Sequence, residues 1–382
     1  MVSAKQIQNQ IKKNNNSLYN SFFKTYNYDF DLKKIKKFKK FKTIIVIGMG
    51  GSILGAKAIY SFLKHKIKKK FIFIDNLDQA QLYKLKRNYS LSSALFLIIS
   101  KSGNTNETII NSSYFKGYYK KSNVIVISES KKNILSNFAR KKNLNFFKHD
   151  PSIGGRYSIF SEAGMLPAYL MGLNPKNFKK NSDKFFNDKK MLSNSLTRLK
   201  KINFKKYKIL IFFNYVPELN DFLYWGQQLL AESLGKKKKG FMPVVSSAPK
   251  DHHSLLQLYL DGPKDKIFYV FNSAENTKLK LNCNPFGKAM NYVNNKSYHK
   301  VKKSQSNAFI EILKKNKTPF REFNIKKFDE QTLGKLFLSF IFETISLGKI
   351  MKINPFDQPA VEKVKILTKK FLVSKKISKK NF

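Results

Sequence analysis

A short loop rich in hydroxyl groups is the first part of this sequence whose residue types are suited to chemistry. Ser100 ends the apolar run ALFLIIS, and Lys101, Ser102 and Thr105 come next, before a helical pattern with Glu107 in its first turn. Hydroxyls, backbone N–H groups and one ammonium group that converge at a helix N-terminus are typical of a phosphate-binding site. The alternative is an ordinary helix capped by Ser, Thr or Asn. The density of hydroxyl groups favours the phosphate site.

A glycine cluster follows an earlier β-branched run, in the stretch IIVIGMGGSILG at 44–55. Gly48 and Gly50 match the first two positions of the dinucleotide-binding fingerprint, but Ile53 occupies the position of the third glycine. The fingerprint is therefore incomplete. The turn would expose backbone N–H groups and the Ser52 hydroxyl at a helix N-terminus, which suits an anionic or polyhydroxy ligand. A plain connecting turn is the alternative.

Glu232 is a candidate functional carboxylate. A helical pattern runs from Pro217 to Leu234, and Gly235 follows it as a helix-ending residue. At helical spacing, Gln228 and Glu232 share one stripe with Trp225. A carboxylate in the last turn faces the negative end of the helix dipole, so its position brings no structural gain. The alternative is a surface glutamate whose charge the lysines after Gly235 balance.

Arg156 and a histidine pair are further candidates. Arg156 is one of only five arginines in a chain that otherwise uses lysine, which indicates a need for the planar guanidinium group. Either a structural ion pair or a negative charge that develops in a reaction would create that need. His252 and His253 are adjacent, and imidazole titrates in the range that suits proton transfer. The remaining histidines carry no motif and are expected on the surface: His65, His149 and His299.

Lys365 belongs to a helical pattern that begins near Gln358 and Pro359, and an early proline is favourable in a helix. At helical spacing, Lys365 lies at the edge of an apolar arc, which predicts a buried face made of Val361, Val364, Leu367, Thr368 and Phe371. A lysine at such an edge either extends its ammonium group past the apolar surface to water or faces a polar site.

Composition narrows the function class. The formal charge of +50 would ordinarily indicate a nucleic-acid partner. Nearly all of that charge comes from lysines spread along the chain together with an excess of Asn, Ile and Phe, which indicates a coding bias. We therefore predict no nucleic-acid partner, and a solvated basic surface that attracts anionic substrates. The content of 42% apolar and 14% aromatic residues argues against disorder.

The compartment and the cofactors are also constrained. Cys283 is the only cysteine, so no intramolecular disulfide is possible and a cytoplasmic location is expected. The N-terminus has no apolar signal region. The most apolar stretch, LFLSFIFETISLGKIM, is interrupted by Glu343 and Lys349 and is expected to be a buried helix and not a membrane span. Histidines and cysteine lack zinc-like spacing, so no metal and no cofactor are predicted.

The elements that must position these residues alternate between short apolar strands and helices. Candidate strands form two series: TIIVIG, KFIFID, ALFLIIS, NVIVIS and NLNFFKH, then KYKILIFFN, GFMPVVSS, KIFYVFN and REFNIKK. Continuous apolar strands separated by helices predict parallel sheets covered on both faces. The stretch SEAGMLPAYLMGLNP predicts a connecting helix that ends near Pro175, and the tail predicts two helices. The expected fold is therefore α/β, with two doubly wound domains and a C-terminal helical segment.

Six motifs in order make the chain resemble the phosphoglucose isomerase family, which has two sugar-isomerase (SIS) domains. The motifs are GMGGS, SKSGNTNET, GGRYSIFSEAG, AESLGKKKKG, PKDHHSLLQLYLDGP and NPFDQPAVEKVK. The expected division is a helical arm at 1–41, a first SIS domain (an α-β-α sandwich) at 42–160, a connecting helix at 161–180, a second SIS domain at 181–328 and C-terminal helices at 329–382.

The resemblance implies reversible conversion of glucose 6-phosphate into fructose 6-phosphate through a cis-enediol, without metal or nucleotide, in glycolysis and gluconeogenesis. It implies that Glu232 is the base, that Arg156 faces the enediolate, and that Lys365 lies near the ring oxygen. It also implies that His253 reaches the site of a partner subunit, hence a homodimer. The implied substrate contacts are Gly51, Ser52, Ser100, Lys101, Ser102, Thr105, Gln228 and Gln358. Many relatives have a bulkier residue and a hydroxyl where this loop has Gly103 and Asn104.

Two other functions stay open at this point. One is a different SIS isomerase, which acts on a mannose or amino-sugar phosphate. The other is a non-catalytic SIS protein that senses sugar phosphates and regulates a partner. The presence of all four candidate catalytic residues argues against the sensor.

Overall fold

The computed structural model describes residues 3–274 and 279–373, and it confirms the α/β class. Each predicted strand is present. The first series gives β1 (Thr43–Gly48), β2 (Lys70–Ile74), β3 (Leu95–Ile99), β4 (Val124–Ser128) and β5 (Asn145–Lys148). The second gives β6 (Ile209–Asn214), β7 (Met242–Ser247), β8 (Lys266–Ser273) and β9 (Phe320–Ile325).

The strands form two separate parallel sheets, with the orders β2-β1-β3-β4-β5 and β7-β6-β8-β9. Strands β3 and β4 are buried along their whole length, which explains their continuous apolar sequences. In a doubly wound sheet with the strand order β2-β1-β3-β4-β5, ligands bind beyond the carboxyl ends of β1 and β3, where the strand order reverses. The glycine cluster and the hydroxyl-rich loop follow these two strands.

Helices surround both sheets. The first part of the chain contains α1 (Ala4–Asn14), α2 (Asn16–Ser21), α3 (Leu32–Ile35), α4 (Leu54–Phe62), α5 (Gln79–Asn88), α6 (Asn106–Tyr114), α7 (Ile134–Lys141), α8 (Glu162–Leu170) and α9 (Pro175–Phe178). The second part contains α10 (Ser182–Asn187), α11 (Lys189–Lys200), α12 (Asn220–Leu234), α13 (Asp251–Ser254), α14 (Leu256–Leu260), α15 (Tyr298–Lys315), α16 (Glu330–Met351) and α17 (Val361–Val373).

Helix α12 lies between α4 and α16 and joins the two halves of the molecule. Its Trp225 is fully buried and meets the Phe337 ring of α16 edge-on at 4.7 Å between centroids. Phe222 packs against Phe340 in the same way at 4.9 Å. Aromatic burial of this kind fixes the rotation of α12 about its axis, and hence the direction of the polar side chains on its other faces.

The N-terminal segment contributes to the core. Ile7, Ile11, Leu18 and Phe22 are all completely buried, and Phe22 stacks on Phe186 at 5.7 Å. Residues 4–21 are therefore packed against the body of the molecule by helices α1 and α2, and their position relative to the ligand crevice is fixed.

Three sequence predictions about this architecture were wrong. The connecting helix ends at Leu170, because Gly172 adopts a left-handed φ of +93° soon after its last turn, and Pro175 instead begins α9. The predicted apolar arc of α17 is exposed, from 45% at Val361 to 68% at Val364, because no other part of the described chain covers it. His149 is buried and not on the surface.

The most apolar helix, α16, is buried within the protein, and its Glu343 pairs with Arg321 at 2.5 Å. Within residues 3–274 and 279–373, no helix combines the length and the apolarity that a membrane crossing requires.

Candidate active site

The loop after β1 brings two glycine-rich segments into contact. Gly50 has a φ of +52°, which favours glycine. A Cβ atom on Gly51 would overlap the backbone of Gly155, so the two chain segments approach each other as closely as only glycine allows. Ser52 is buried beside this contact. The glycine cluster therefore serves to bring the loop at 154–156 against the end of β1.

The hydroxyl-rich loop after β3 surrounds the N-terminus of α6. The Oγ atom of Ser100 lies 3.0 Å from Oγ1 of Thr105, so the two hydroxyls close the loop. Thr105 is the N-cap residue of α6, but it makes no side-chain capping bond. The Thr105 side chain therefore does not cap the N–H groups in the first turn of α6. A helix end that binds phosphate needs such uncapped N–H groups. Ser102 is exposed at the tip.

Gly103 and Asn104 have structural roles in the same loop. Gly103 has a φ of +65°, and a Cβ atom there would overlap the side chain of Asn133. The side-chain oxygen of Asn104 accepts a hydrogen bond of 3.0 Å from the N–H group of Ile134, at the start of α7. These two residues therefore fix the loop against α7.

Lys101 is the cation of this loop. Burial lowers the pKa of its ammonium group, and so does Lys131, while Glu129 and Asp150 act in the opposite direction. Its Nζ atom lies 3.9 Å from Oε1 of Glu129. The side chain is only partly exposed, so its charge acts in a region of low dielectric constant, where attraction to an anion is strong.

Helix α12 presents Gln228 and Glu232 on one stripe, as predicted. Nε2 of Gln228 donates to Oε2 of Glu232 at 2.9 Å. Nη1 of Arg156 donates to Oε1 of the same carboxylate at 3.0 Å. The indole N–H of Trp225 donates to the carbonyl of Arg156 at 3.1 Å, which ties the two segments together. Both carboxylate oxygens of Glu232 are therefore oriented.

Arg156 is almost completely buried and has a partner for each of its five N–H groups. Besides Glu232, it donates to Oγ of Ser233 at 2.7 Å and to Oε1 of Gln358 at 2.9 Å. Its Nη2 atom donates to the carbonyls of Pro355 and Asp357 at 2.7 and 3.1 Å. The guanidinium group thus joins α12 to the segment before α17, and it places Gln358 beside Glu232.

A cavity of about 220 Å³ lies between these elements. Seven of the predicted site residues line it: Gly51, Ser52, Lys101, Arg156, Gln228, Glu232 and Gln358. Ser100, Ser102 and Thr105 belong to the loop that carries Lys101, but they are not part of the lining.

Sequence reasoning missed the other lining residues, which are Asn15, Met49, Ser152, Gly154, Gly155, Tyr157 and Phe356. Five of them lie within motifs that the sequence displays: Met49, Gly154, Gly155, Tyr157 and Phe356. Their proximity in sequence to Gly51, Arg156 and Gln358 was therefore an available signal. Asn15 could not be found in this way, because it lies between α1 and α2, in a stretch of sequence without a motif.

His253 lies at the carboxyl end of the second sheet, on the exposed face of α13, and does not line the cavity of its own chain. Its two preceding residues are anchored inward. Asp251 is buried and accepts from Oγ of Ser246 at 2.8 Å. The ring of His252 is half-buried, with Nε2 2.7 Å from the Tyr215 hydroxyl, and it stacks on Phe213. These anchors direct His253 outward.

Lys365 is exposed on α17 and also does not line the cavity. The other histidines differ from one another. His65 is exposed, as expected, and His299 is half-buried, with Nε2 2.8 Å from the carbonyl of Ser273. Burial lowers the pKa of His149, whose Nδ1 lies 2.9 Å from the carbonyl of Asp150. No group of three or more His, Cys, Asp or Glu within the described residues has an arrangement that would hold a metal ion.

The sequence is similar to those of known proteins. The family model described as phosphoglucose isomerase matches residues 24–381. The glucose-6-phosphate isomerase of Methanocaldococcus jannaschii is 32% identical, over 88% of this chain and 86% of that protein. The glucose-6-phosphate isomerase of Campylobacter jejuni is 28% identical, over 97% and 95%.

Solved structures show the same fold. A hypothetical protein from Thermus thermophilus has a TM-score of 0.84 at 23% identity, over 97% of this chain and 95% of that one. A glucose-6-phosphate isomerase from Chlamydia trachomatis has a TM-score of 0.74 at 21% identity, over 89% and 72%. From the extent of the family match and of the similarity to the archaeal protein, the chain belongs to the phosphoglucose isomerase family.

Proposed function

We propose that this protein is a glucose-6-phosphate isomerase, which moves a proton between C1 and C2 of the open-chain sugar phosphate through a cis-enediol intermediate. The observation that carries the proposal is that one cavity has both a carboxylate, Glu232, and the ammonium group of the phosphate loop, Lys101. The family match and the similarity to named glucose-6-phosphate isomerases support the same substrate.

Glu232 acts as the base. Its carboxylate takes the proton from C2 of glucose 6-phosphate while O1 gains a proton, which yields the enediol. It then returns the proton to C1 while O2 loses its proton, which yields the ketose. The hydrogen bond from Gln228 and the ion pair with Arg156 orient the two oxygens before substrate arrives. Because the side chain of Glu232 remains 23% exposed, it can reach a ligand in the cavity. General-base assistance of this kind typically accelerates a step by roughly 10²–10⁴-fold.

Arg156 stabilises the charge that develops. As the base removes the C2 proton, negative charge accumulates on the oxygens of the enediolate. A guanidinium group held in a buried network does not have to reorganise when that charge appears, which is the condition for efficient electrostatic stabilisation. Gln358, held by Arg156, supplies a polar contact to the sugar.

The phosphate of the substrate binds to the loop at Ser100–Thr105. The hydroxyls of Ser100, Ser102 and Thr105, the Lys101 ammonium group and the first N–H groups of α6 provide the donors. Ser52 and the backbone of Gly51 contact the sugar from the other loop. This arrangement separates binding of the phosphate from the chemistry at C1 and C2.

Ring opening requires proton transfer between the ring oxygen and the C1 hydroxyl. We assign that transfer to His253 of a partner subunit, with Lys365 close to the ring oxygen, so the active protein is a homodimer. The outward direction of His253 and the exposed apolar face of α17 support an arrangement in which a second chain completes the site. We place the reaction in cytoplasmic glycolysis and gluconeogenesis.

The test is an enzyme-coupled assay of the purified full-length protein with glucose 6-phosphate and fructose 6-phosphate. Turnover in both directions is expected, and kcat should fall by the upper end of roughly 10²–10⁴-fold in Glu232→Gln. It should be unchanged in Glu311→Gln, at an exposed glutamate on α15. Mannose 6-phosphate and glucosamine 6-phosphate are measured in parallel. Faster turnover of either would identify a different SIS isomerase, and binding without any turnover would identify a sensor.

A further inference from the structure

The N-terminal segment places one polar side chain in the wall of the cavity. Asn15, between α1 and α2, is only 7% exposed, and it forms part of the cavity lining. The family match begins at residue 24, so this segment precedes the region that the family describes. Its packing in the core, through Leu18 and Phe22, fixes Asn15 in place.

Among the hydrogen bonds that the described residues make, those of Asn15 use only one of its two amide hydrogens. Its Oδ1 atom accepts from the N–H of Leu18 at 2.8 Å and thereby caps α2. Its Nδ2 atom donates to the carbonyl of Ser152 at 2.5 Å. A primary amide nitrogen carries two hydrogens, and only one of them is used in this bond. The second is available to a ligand in the cavity.

The neighbours of Asn15 indicate which part of a ligand it would meet. Ser152 binds the Asp150 carboxylate through its N–H at 2.8 Å and through its hydroxyl at 2.5 Å. Asp150 follows His149, whose N–H donates to the carbonyl of Ser128 at 2.8 Å. The residue after Ser128, Glu129, donates its N–H to the carbonyl of Lys101 at 2.9 Å. Asn15 therefore lies on the Lys101 side of the cavity, whereas Glu232 and Gln358 are grouped around Arg156.

We propose that Asn15 is a further substrate-binding residue, which donates its second amide N–H to the phosphate group of the substrate. This assignment rests on the proposed sugar-phosphate substrate. Oδ1 of the neighbouring Asp150 carboxylate already accepts both hydrogen bonds from Ser152. Asn15 thus gives the N-terminal segment a direct part in recognising the substrate.

The test uses three variants and one control. Asn15→Asp retains a capping oxygen for Leu18 but places a negative charge at the wall. Asn15→Ser retains a capping oxygen without the reach of the amide, and Asn15→Ala removes both. The control, Asn16→Asp, introduces the same charge at the adjacent exposed position. The inhibition constant of inorganic phosphate, KM, kcat and the melting temperature are measured for each.

The inhibition constant and KM should rise about tenfold or more in Asn15→Asp, because a hydrogen bond to a charged group is lost and repulsion is added. They should rise about threefold to tenfold in the Ala and Ser variants, with kcat nearly unchanged and Asn16→Asp close to the wild type. If the inhibition constants instead follow the melting temperatures of the three variants, Asn15 only supports the fold and the inference is wrong.

Failure of this inference is distinguishable from failure of the proposed function. Stabilisation of each variant by inorganic phosphate is also measured as a shift in melting temperature, which needs no turnover. If the wild type lacks isomerase activity, the function fails while the phosphate measurement still tests Asn15. If the wild type is active and Asn15→Asp responds to phosphate like Asn16→Asp, only the assignment of Asn15 fails.

Discussion

Arg156 and Glu232 form an ion pair whose two members differ in exposure. Nη1 and Oε1 are 3.0 Å apart, but the arginine side chain is 1% exposed and the glutamate side chain is 23% exposed. The guanidinium group is held by four further hydrogen bonds, to Ser233, Gln358, Pro355 and Asp357. The cation is therefore fixed, and the carboxylate is the member of the pair that can turn toward a ligand.

The first prediction concerns Glu232→Gln. The amide has the size of the carboxylate and retains hydrogen bonding, but it cannot accept the proton from C2 or C1. Because general-base assistance contributes roughly 10²–10⁴-fold, we expect kcat to fall by the upper end of that range, with KM nearly unchanged. The measurement is solvent deuterium incorporation at C2 of glucose 6-phosphate in D₂O, together with steady-state kinetics. Glu311→Gln, on an exposed helix face, is the control.

Retention of near-native deuterium exchange in Glu232→Gln would rule out this residue as the base. A rise in KM alone would instead assign Glu232 to substrate binding. The two outcomes separate its chemical role from its position in the cavity wall.

The second prediction concerns Arg156→Lys. Lysine retains the charge, but its single ammonium group cannot replace a fork that binds side chains of α12 and carbonyls of the segment before α17. A buried acceptor that is left without its donor typically costs about 1–3 kcal/mol, so both stability and kcat should fall. Urea unfolding and the coupled assay measure the two effects. Arg140→Lys, at an exposed position of α7, should change neither. Native-like stability and kcat in Arg156→Lys would show that charge alone is sufficient.

The strands and the two loops were predictable because local chemistry determines them. Runs such as Leu95–Ile99 are apolar at every position, as strands buried on both faces must be. The loops after β1 and β3 carry the glycines and hydroxyls that a ligand crevice needs. The family resemblance then singled out Glu232 and Arg156 in this sequence, and the structure brings them together.

The remaining features depend on contacts between distant parts of the chain. Asn15 reaches the cavity only because α1 and α2 pack against residues far along the sequence, such as Phe186. His149 is buried because its N–H pairs with the carbonyl of Ser128 at the end of β4, which draws the residue into the sheet. An exposed arc on α17 has the same sequence pattern as a buried one, since periodicity does not say what covers a helix.

The third prediction concerns Lys179, a buried lysine outside the cavity. Its Nζ atom lies over the rings of Tyr26 and Tyr28 at 4.8 and 4.5 Å, and burial lowers its pKa to about 7 although Glu162 acts to raise it. In the unfolded chain the same amine has the ordinary lysine pKa, so between these two values the unfolded state binds more protons. Stability therefore rises with pH in that window, by at most about 1.4 kcal/mol per pH unit.

Lys179→Met should remove this contribution, so its stability relative to the wild type should fall as the pH increases from about 7 to about 9. Melting temperatures of both proteins across that range measure the effect, and groups shared by the two proteins cancel in the difference. Lys180→Met, at the adjacent exposed position, should run parallel to the wild type. A parallel course for Lys179→Met as well would mean that Lys179 has an ordinary pKa in the folded protein.

The last prediction concerns the subunit to which His253 contributes. If His253 serves the site of a partner, a dimer of one His253→Ala chain and one Glu232→Gln chain contains one site with both native residues and one site with neither. The two variants should each be nearly inactive alone. Mixing them under conditions of subunit exchange should restore activity up to about a quarter of the wild-type value, because half of the dimers are mixed and each has one intact site. The measurement is the coupled assay, with heterodimers verified by differently tagged chains. Heterodimers that remain inactive would show that His253 acts within its own chain. Helix α13, which carries His253 on its exposed face, would then have to move over the cavity of its own chain.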